Sequence, residues 1–381
     1  MKSSSEISID PVTREPTIAV QLDTGQGDLN ARHVEFLMLL DSAGAFVCGS
    51  VVGRRLRPDA ASFVGKGKLA EIGALAAQTS AGLIAFNHEL TAGQQRNIEK
   101  STGCRVVDRT SLILDIFAQR ARSYDGKLQV ELAQLEHLST RLVRGWSHLE
   151  RQRGGIGLRG PGEKQLEMDR RLIGKRVAEL KGRLVQQERQ HAVQRRRREK
   201  NQVLSVSLVG YTNVGKSTLF NALTRADAFS DNRLFATLDT TTRKLHLPSR
   251  DATLSDTVGF VRDLPHELVA AFRATLVETA QSDLLLHVVD FSADSRQQQV
   301  DSVRSVLHAI GATDERQILV LNKIDAVPGG SAGIERDAHG KISRVRLSAR
   351  TGEGVPMLRA AIAEIADEHM GLSRRESVVV S

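Results

Sequence analysis

Aromatic side chains are scarce in this chain of 381 residues, 4% of the total with one Trp and two Tyr. So few rings argue against a fold that reads single-stranded RNA by stacking bases on aromatic platforms. Only two cysteines occur, Cys48 and Cys104, far apart and without metal-ligand spacing. A disulfide framework or zinc site is therefore not expected, and each thiol reads as a small buried side chain in a reducing compartment. No stretch approaches the ~18 uncharged apolar residues a membrane span needs. The polar start, Met1-Lys2-Ser3-Ser4-Ser5-Glu6, shows no signal peptide. These absences point to the cytoplasm.

What is present is charge, unevenly spread. The chain carries a net +8, yet residues 141–200 alone hold 18 Lys and Arg against 7 Asp and Glu, a local +11. A concentrated basic surface favours a polyanionic partner, because each phosphate contact releases counterions. A solvated helical face is the plainer alternative.

Length alone implies two or three domains. Residues 1–30, with Pro11, Pro16, Gly25 and Gly27, read as a mobile lead-in. From Val34 an apolar run, Phe36 to Leu40, suggests a strand. Leu83–Phe86 and Cys104–Val107 suggest two more, with helical patterns at Lys68–Ala77 and Ala92–Lys100. This alternation predicts a small N-terminal α/β domain over 31–127 with a largely parallel sheet. Leu132, Leu135, Leu138, Leu142, Trp146 and Leu149 then mark one face of a long helix. A glycine-rich break follows at Gly154–Gly162, and Leu166 to Leu184 resume helical spacing. Two such helices predict an antiparallel basic hairpin over 128–200.

From Val203 a buried strand opens a third region, 201–370. Strands are expected at Ala252–Leu254, Leu284–Val289, Ile318–Leu321 and Val345–Leu347, with helices at His266–Thr279 and Arg296–Ala309. This is the pattern of a doubly wound, mostly parallel sheet, whose strand ends bind ligands. Residues 371–381 read as a polar tail.

The first of those strands ends in Gly210-Tyr211-Thr212-Asn213-Val214-Gly215-Lys216-Ser217, which fits G-x-x-x-x-G-K-S. Glycines let backbone N–H groups wrap phosphates at a helix N-terminus; the lysine reaches the β- and γ-phosphates and the serine hydroxyl ligates Mg²⁺. Asp256-Thr257-Val258-Gly259 follows the next apolar strand. There the aspartate can hold Mg²⁺ through water, and the Gly259 N–H can meet the γ-phosphate. Between them lies Phe235-Ala236-Thr237-Leu238-Asp239-Thr240-Thr241-Thr242-Arg243. One threonine here should contact Mg²⁺ only when the γ-phosphate is present, which makes the segment a switch; four compete for that role.

Asn322-Lys323-Ile324-Asp325 and Ser348-Ala349-Arg350 each follow a strand. A carboxylate at Asp325 can accept the guanine N1–H and 2-amino protons, whereas adenine would leave it buried and unpaired. Asn322 is expected to frame the base, the Lys323 stem to cover its ring, and the Ala349 N–H to meet O6. These elements, in this order and each at a strand end, predict GTP and GDP as ligands. Gly65-Lys66-Gly67 lacks the spacing of a phosphate loop and reads as a strand-to-helix turn.

At this point the chain resembles the HflX-type GTPases, within the translation-factor-related P-loop GTPases. The resemblance rests on Gly210–Ser217, Phe235–Arg243 and Asp256-Thr257-Val258-Gly259-Phe260. Outside them, Ser62–Lys68, Val107–Thr110, Ile113–Phe117 and the loop from Gly154 to Glu163 also carry it. It implies a ribosome-associated GTPase that binds the large ribosomal subunit and its rRNA, in a family associated with splitting or rescuing stalled ribosomes under stress; a monomer is expected, though the sequence does not reveal the oligomeric state. It also places the switch threonine at Thr237, so that Lys216, Thr237 and Gly259 act on the transferred phosphate. Thr240, where many relatives carry proline, departs from the pattern and should loosen the loop slightly. The residue after D-x-x-G is Phe260, not the glutamine that orients water in many related enzymes. Slow intrinsic hydrolysis, raised by a partner, is expected. The competing reading is a GTP-dependent regulatory module for a non-ribosomal protein; the basic hairpin, flanked at its loop by Arg151, Arg153 and Arg159, disfavours it. A motor run by the N-terminal domain is disfavoured too, since that domain has no complete nucleotide motif.

Overall fold

The computed structural model describes residues 14–379 apart from 26, 151–160, 201–202, 225–233, 249–250, 264–267, 269–281 and 313–315. The glycine loop with Arg151, Arg153 and Arg159, and most of the helix expected at His266–Thr279, lie outside the described residues. Two compact units partition the chain, residues 1–119 with 133–178 and residues 120–132 with 179–381.

The first unit is built on four parallel strands in the order β2-β1-β3-β4: β1 (Glu15–Asp23), β2 (Ala45–Arg54), β3 (Leu83–Phe86) and β4 (Arg105–Val107). Helices α1 (Leu29–Ser42), α2 (Lys66–Thr79), α3 (Ala92–Thr102) and α4 (Arg109–Arg120) connect and follow them. Two expectations are corrected here. The supposed lead-in contains β1, one of the sheet's two inner strands, whose Thr17–Leu22 are all buried. Pro16 is tolerated because it stands at the strand's start, where a ladder donor matters least. The apolar run after Val34 is helix, not strand. Asp28 caps α1 by accepting from the N–H groups of Asn30 and Ala31, and Phe36, Leu39 and Leu40 bury one face at i, i+3, i+4. Gly65 is the N-cap of α2, after a turn closed by an Asp59–Phe63 bridge. Cys48 and Cys104 are half-buried against this core.

The long helices α5 (Tyr124–Glu150) and α6 (Pro161–Lys200) are each shared between the units. Within the second unit, Arg183 of α6 donates to the Tyr124 hydroxyl at the start of α5, 3.3 Å away.

The second unit carries a seven-stranded sheet, ordered β10-β11-β9-β8-β5-β7-β6. Its parallel centre comprises β5 (Ser205–Gly210), β7 (Asp251–Asp256), β8 (Leu284–Asp290), β9 (Arg316–Asn322) and β11 (Ile342–Arg346). Antiparallel strands β6 (Thr241–His246) and β10 (Gly333–Arg336) form the edges. Strand β5 is buried along nearly its whole length between β7 and β8, as a continuous apolar run in a parallel sheet should be. Helices α7 (Lys216–Thr224), α8 (Arg296–Ala309) and α9 (Val355–Val379) complete the unit. The last runs past Gly371, where a polar tail was expected. No described helix is long and apolar enough to cross a membrane.

Candidate nucleotide site

The loops leaving β5, β7, β9 and β11 open on one cavity of about 390 Å³. Lys216 and Asp325 both line it, together with Thr212, Asn213, Gly215 and Ser217 of the first loop. Phe235, Ala236, Thr237, Thr257 and Gly259 form another stretch of wall. Asn322, Lys323, Ala349 and Arg350 close the end near Asp325, joined by Thr218 and Ala326, which the motifs did not single out. Gly210, Tyr211, Val214 and Asp256 are not on the wall but bond to residues that are; Val258, Ile324 and Ser348 are not on it. Leu238 and Asp239 are not on it either.

The loop after β5 is shaped by what surrounds it. Asn213 and Gly215 both take left-handed backbone, φ 61° and 91°. A Cβ on Gly215 would collide with the Asn322 side-chain amide. That amide donates to the Val214 carbonyl at 2.7 Å, while Asn322 Oδ1 accepts the Ala349 N–H at 2.8 Å. Asn322 therefore ties the phosphate loop to the loop after β11. The Ala349 N–H, expected to meet a purine O6, is bonded to Asn322 here, so that O6 would have to exchange with this bond.

Lys216 is buried, and its ammonium donates to the carbonyls of Gly210 (3.1 Å) and Tyr211 (2.8 Å). Burial pulls its pKa down from 10.5 to about 8, against a smaller opposing pull from Asp256. Asp256 is pushed up by burial, an effect that Lys216 and the hydroxyls of Ser217 and Thr237 partly offset. Those hydroxyls converge on Asp256 Oδ2, Ser217 at 2.7 Å and Thr237 at 3.1 Å, and lie 2.9 Å from each other. Asp256 Oδ1 is buried without a protein partner. Among four competing threonines, Thr237 is the one at this cluster; the Thr240 hydroxyl is buried and unpartnered. Phe235, at φ 56°, holds a backbone conformation rare for a bulky side chain.

The chain after Asp256 is stitched to the phosphate loop. Phe260 donates its N–H to the Gly210 carbonyl (3.2 Å) and accepts from Thr212 N–H (2.7 Å), and Arg262 N–H donates to the Tyr211 hydroxyl (2.6 Å). The Phe260 ring is 2% exposed. At the other end, Lys323 (φ 68°) ion-pairs with Asp290 at 2.7 Å, a partner the motifs gave no hint of. Asp325 sits in the short 3₁₀ turn Ile324–Ala326.

Family models match along most of the chain. "GTP-binding GTPase N-terminal" covers residues 30–118, "GTP-binding GTPase Middle Region" 120–198, and "50S ribosome-binding GTPase" 205–323. GTPase HflX of Escherichia coli is 53% identical over 332 residues, 87% of this chain and 78% of that one. The chain belongs to the HflX GTPase family. GTPase HflX of Magnetococcus marinus is 50% identical over 78% of this chain and 69% of its own. That of Caldanaerobacter subterraneus is 47% identical over 86% and 75%. A crystal structure described as SsGBP in complex with GDP shares the fold at TM-score 0.50 and 23% identity, covering 93% of this chain and 99% of that one. As a member of the HflX family, the protein binds and hydrolyses GTP.

Proposed function

We propose that this GTPase works with Mg²⁺ on the large ribosomal subunit, splitting or rescuing stalled ribosomes, and that the subunit completes its active site. The observation carrying this reading is Phe260. Hydrolysis needs a water aligned behind the γ-phosphate and a neutralised transition state. Here the position after Gly259 bears a buried ring whose backbone is bonded to Gly210 and Thr212. It can neither donate to nor accept from water, so in this reading the ribosomal subunit supplies the aligning group. The net +11 over residues 141–200 suits rRNA, and the matched family description names the 50S ribosome.

In this reading Lys216 grips the β- and γ-phosphates, exchanging its two carbonyl partners for phosphate oxygens. Ser217 and Thr237 would supply hydroxyl oxygens to Mg²⁺, and Asp256, whose Oδ1 is unpartnered, would hold it through water. This all-oxygen donor set suits a hard cation. The chemistry such an ion would supply is neutralisation of charge on the β- and γ-phosphates. Gly259 presents its N–H to the γ-phosphate. Asp325 selects guanine, with Asn322 and Lys323 framing the ring and Ala349–Arg350 closing its O6 edge. The test is GTP turnover measured alone and with large subunits, small subunits or intact ribosomes. Large subunits and intact ribosomes should accelerate it and small subunits should not; equal rates in all four samples would refute the proposal.

A further inference from the structure

Asp239 stands two residues beyond Thr237, in a segment expected to bind nucleotide, yet its carboxylate is engaged elsewhere. Oδ2 accepts the backbone N–H groups of Arg122 (2.7 Å) and Ser123 (2.8 Å), and Oδ1 accepts the Ser123 hydroxyl at 2.6 Å. Ser123 in turn caps α5: its Oγ accepts the Gly126 N–H at 2.9 Å and its carbonyl the Lys127 N–H at 3.1 Å. A helix start leaves such amides unpaired and favours negative charge. Asp239 supplies both needs from more than a hundred residues away in sequence.

Gly126 shows that the contact is built in. A Cβ there would collide with Asp239 Oδ1 and lie 3.0 Å from Ser123 Oγ. In the first turn of a 27-residue helix, alanine would be the better helix former. Close approach of the carboxylate accounts for the glycine; helix stability does not.

One residue, the buried Leu238, separates Asp239 from Thr237, and two Cα steps span at most about 7 Å. Where Asp239 is pinned, Thr237 has little freedom. We propose that Asp239 is a positioning residue for GTP hydrolysis, through which the start of α5 holds Thr237 against Ser217 and Asp256. A partner that shifts the start of α5 thereby moves the threonine, so the helix is a lever on turnover. The inference rests on the reading of Thr237 as the Mg²⁺ threonine, and the test separates the two.

Full-length Thr237→Ala, Asp239→Ala, Asp239→Asn, Gly126→Ala and the double variant Gly126→Ala/Asp239→Ala are compared. The readouts are kcat for GTP, the Mg²⁺ requirement, affinity for a fluorescent GDP, and thermal melting. Thr237→Ala and Asp239→Ala should each lower kcat roughly tenfold to a hundredfold, the scale of a misplaced catalytic contact. GDP affinity in both should stay within about twofold, since the threonine acts only with the γ-phosphate. Asp239→Asn should recover most of the rate, its amide oxygen accepting the two N–H groups and its NH₂ donating to Ser123. Gly126→Ala should slow turnover without lowering the melting temperature, and the double variant should be no slower than Asp239→Ala, as expected of coupled positions. If Thr237→Ala is slow while Asp239→Ala or Gly126→Ala keeps the normal rate, the lever is wrong and the Thr237 reading stands. If Thr237→Ala keeps the normal rate, the underlying reading fails first. Loss of GDP affinity in step with kcat in Asp239→Ala would make Asp239 a nucleotide ligand and overturn the proposal as well.

Discussion

Raising the pH should weaken nucleotide binding in a defined way, because Lys216 pays for its burial by giving up its proton early. Its ammonium lies out of water, and that burial, only partly offset by Asp256, lowers its pKa from 10.5 to about 8. At about 1.4 kcal/mol per unit, that shift corresponds to roughly 3 kcal/mol by which the empty site disfavours the charged lysine. A bound polyphosphate reverses the preference, so binding above pH 8 must take up a proton. With a free-site pKa near 8 and a bound-site value well above it, GDP affinity should fall about fourfold between about pH 7 and about pH 8.5. That window stays below ionisation of the guanine ring. The assay is calorimetric titration of GDP in buffers of different ionisation enthalpy, which reads affinity and proton uptake together. Uptake should rise from near zero at the lower pH to about 0.8 proton at the upper. The same depressed value has a consequence for the empty protein. Between about 8 and 10.5 the unfolded chain binds a proton that the folded one does not, so folding stability should rise with pH across that window. Flat affinity with no proton uptake would show that Lys216 is fully charged in the empty site and refute the reasoning.

Two further predictions concern buried groups around the cavity. Asn322→Ala should leave the Val214 carbonyl and the Ala349 N–H buried without partners. At roughly 1–3 kcal/mol for each orphaned group, the nucleotide-free protein should lose at least about 2 kcal/mol in urea unfolding; an unchanged midpoint would contradict the tie between the loops. His287, 2% exposed on β8, has its pKa pulled down to about 4 by burial and then by the nearby charges of Arg304 and Lys216. Between that value and the ordinary 6.5 the unfolded chain binds the extra proton, so stability should fall as pH drops through this window. His287→Phe should flatten that limb of the stability–pH curve.

The cavity's lining was legible because it is written in short contiguous motifs, each at the end of a strand whose apolar run is itself readable. Gly215-Lys216-Ser217, Asp256–Gly259 and Asn322–Asp325 needed no knowledge of packing. Other features depended on distant partners. Nothing near Asp239 in sequence announces that Arg122 and Ser123 will bind its carboxylate, and nothing in Gly126 marks it as the space that carboxylate needs. That Asn322 would tie two loops together could not be read, because the Val214 carbonyl and Ala349 N–H become its neighbours only when β5, β9 and β11 align. In the first unit, Pro16 and the flanking glycines disguised β1, although Ile18-Ala19-Val20 is the sort of run a buried parallel strand requires. The five apolar residues Phe36–Leu40 fit either period, and only the cap at Asp28 separates helix from strand.

Guanine selection by the Asp325 carboxylate, in the cavity where Lys216 meets the phosphates, is the claim from which the rest follows. Its most direct test is turnover of GTP against xanthosine triphosphate by the unaltered protein and by Asp325→Asn. The carboxylate should favour GTP, and the amide should reverse that preference, because the xanthine 2-oxo group needs a donor where guanine offers one. A variant that still prefers GTP as strongly as the parent would mean that Asp325 does not touch the base.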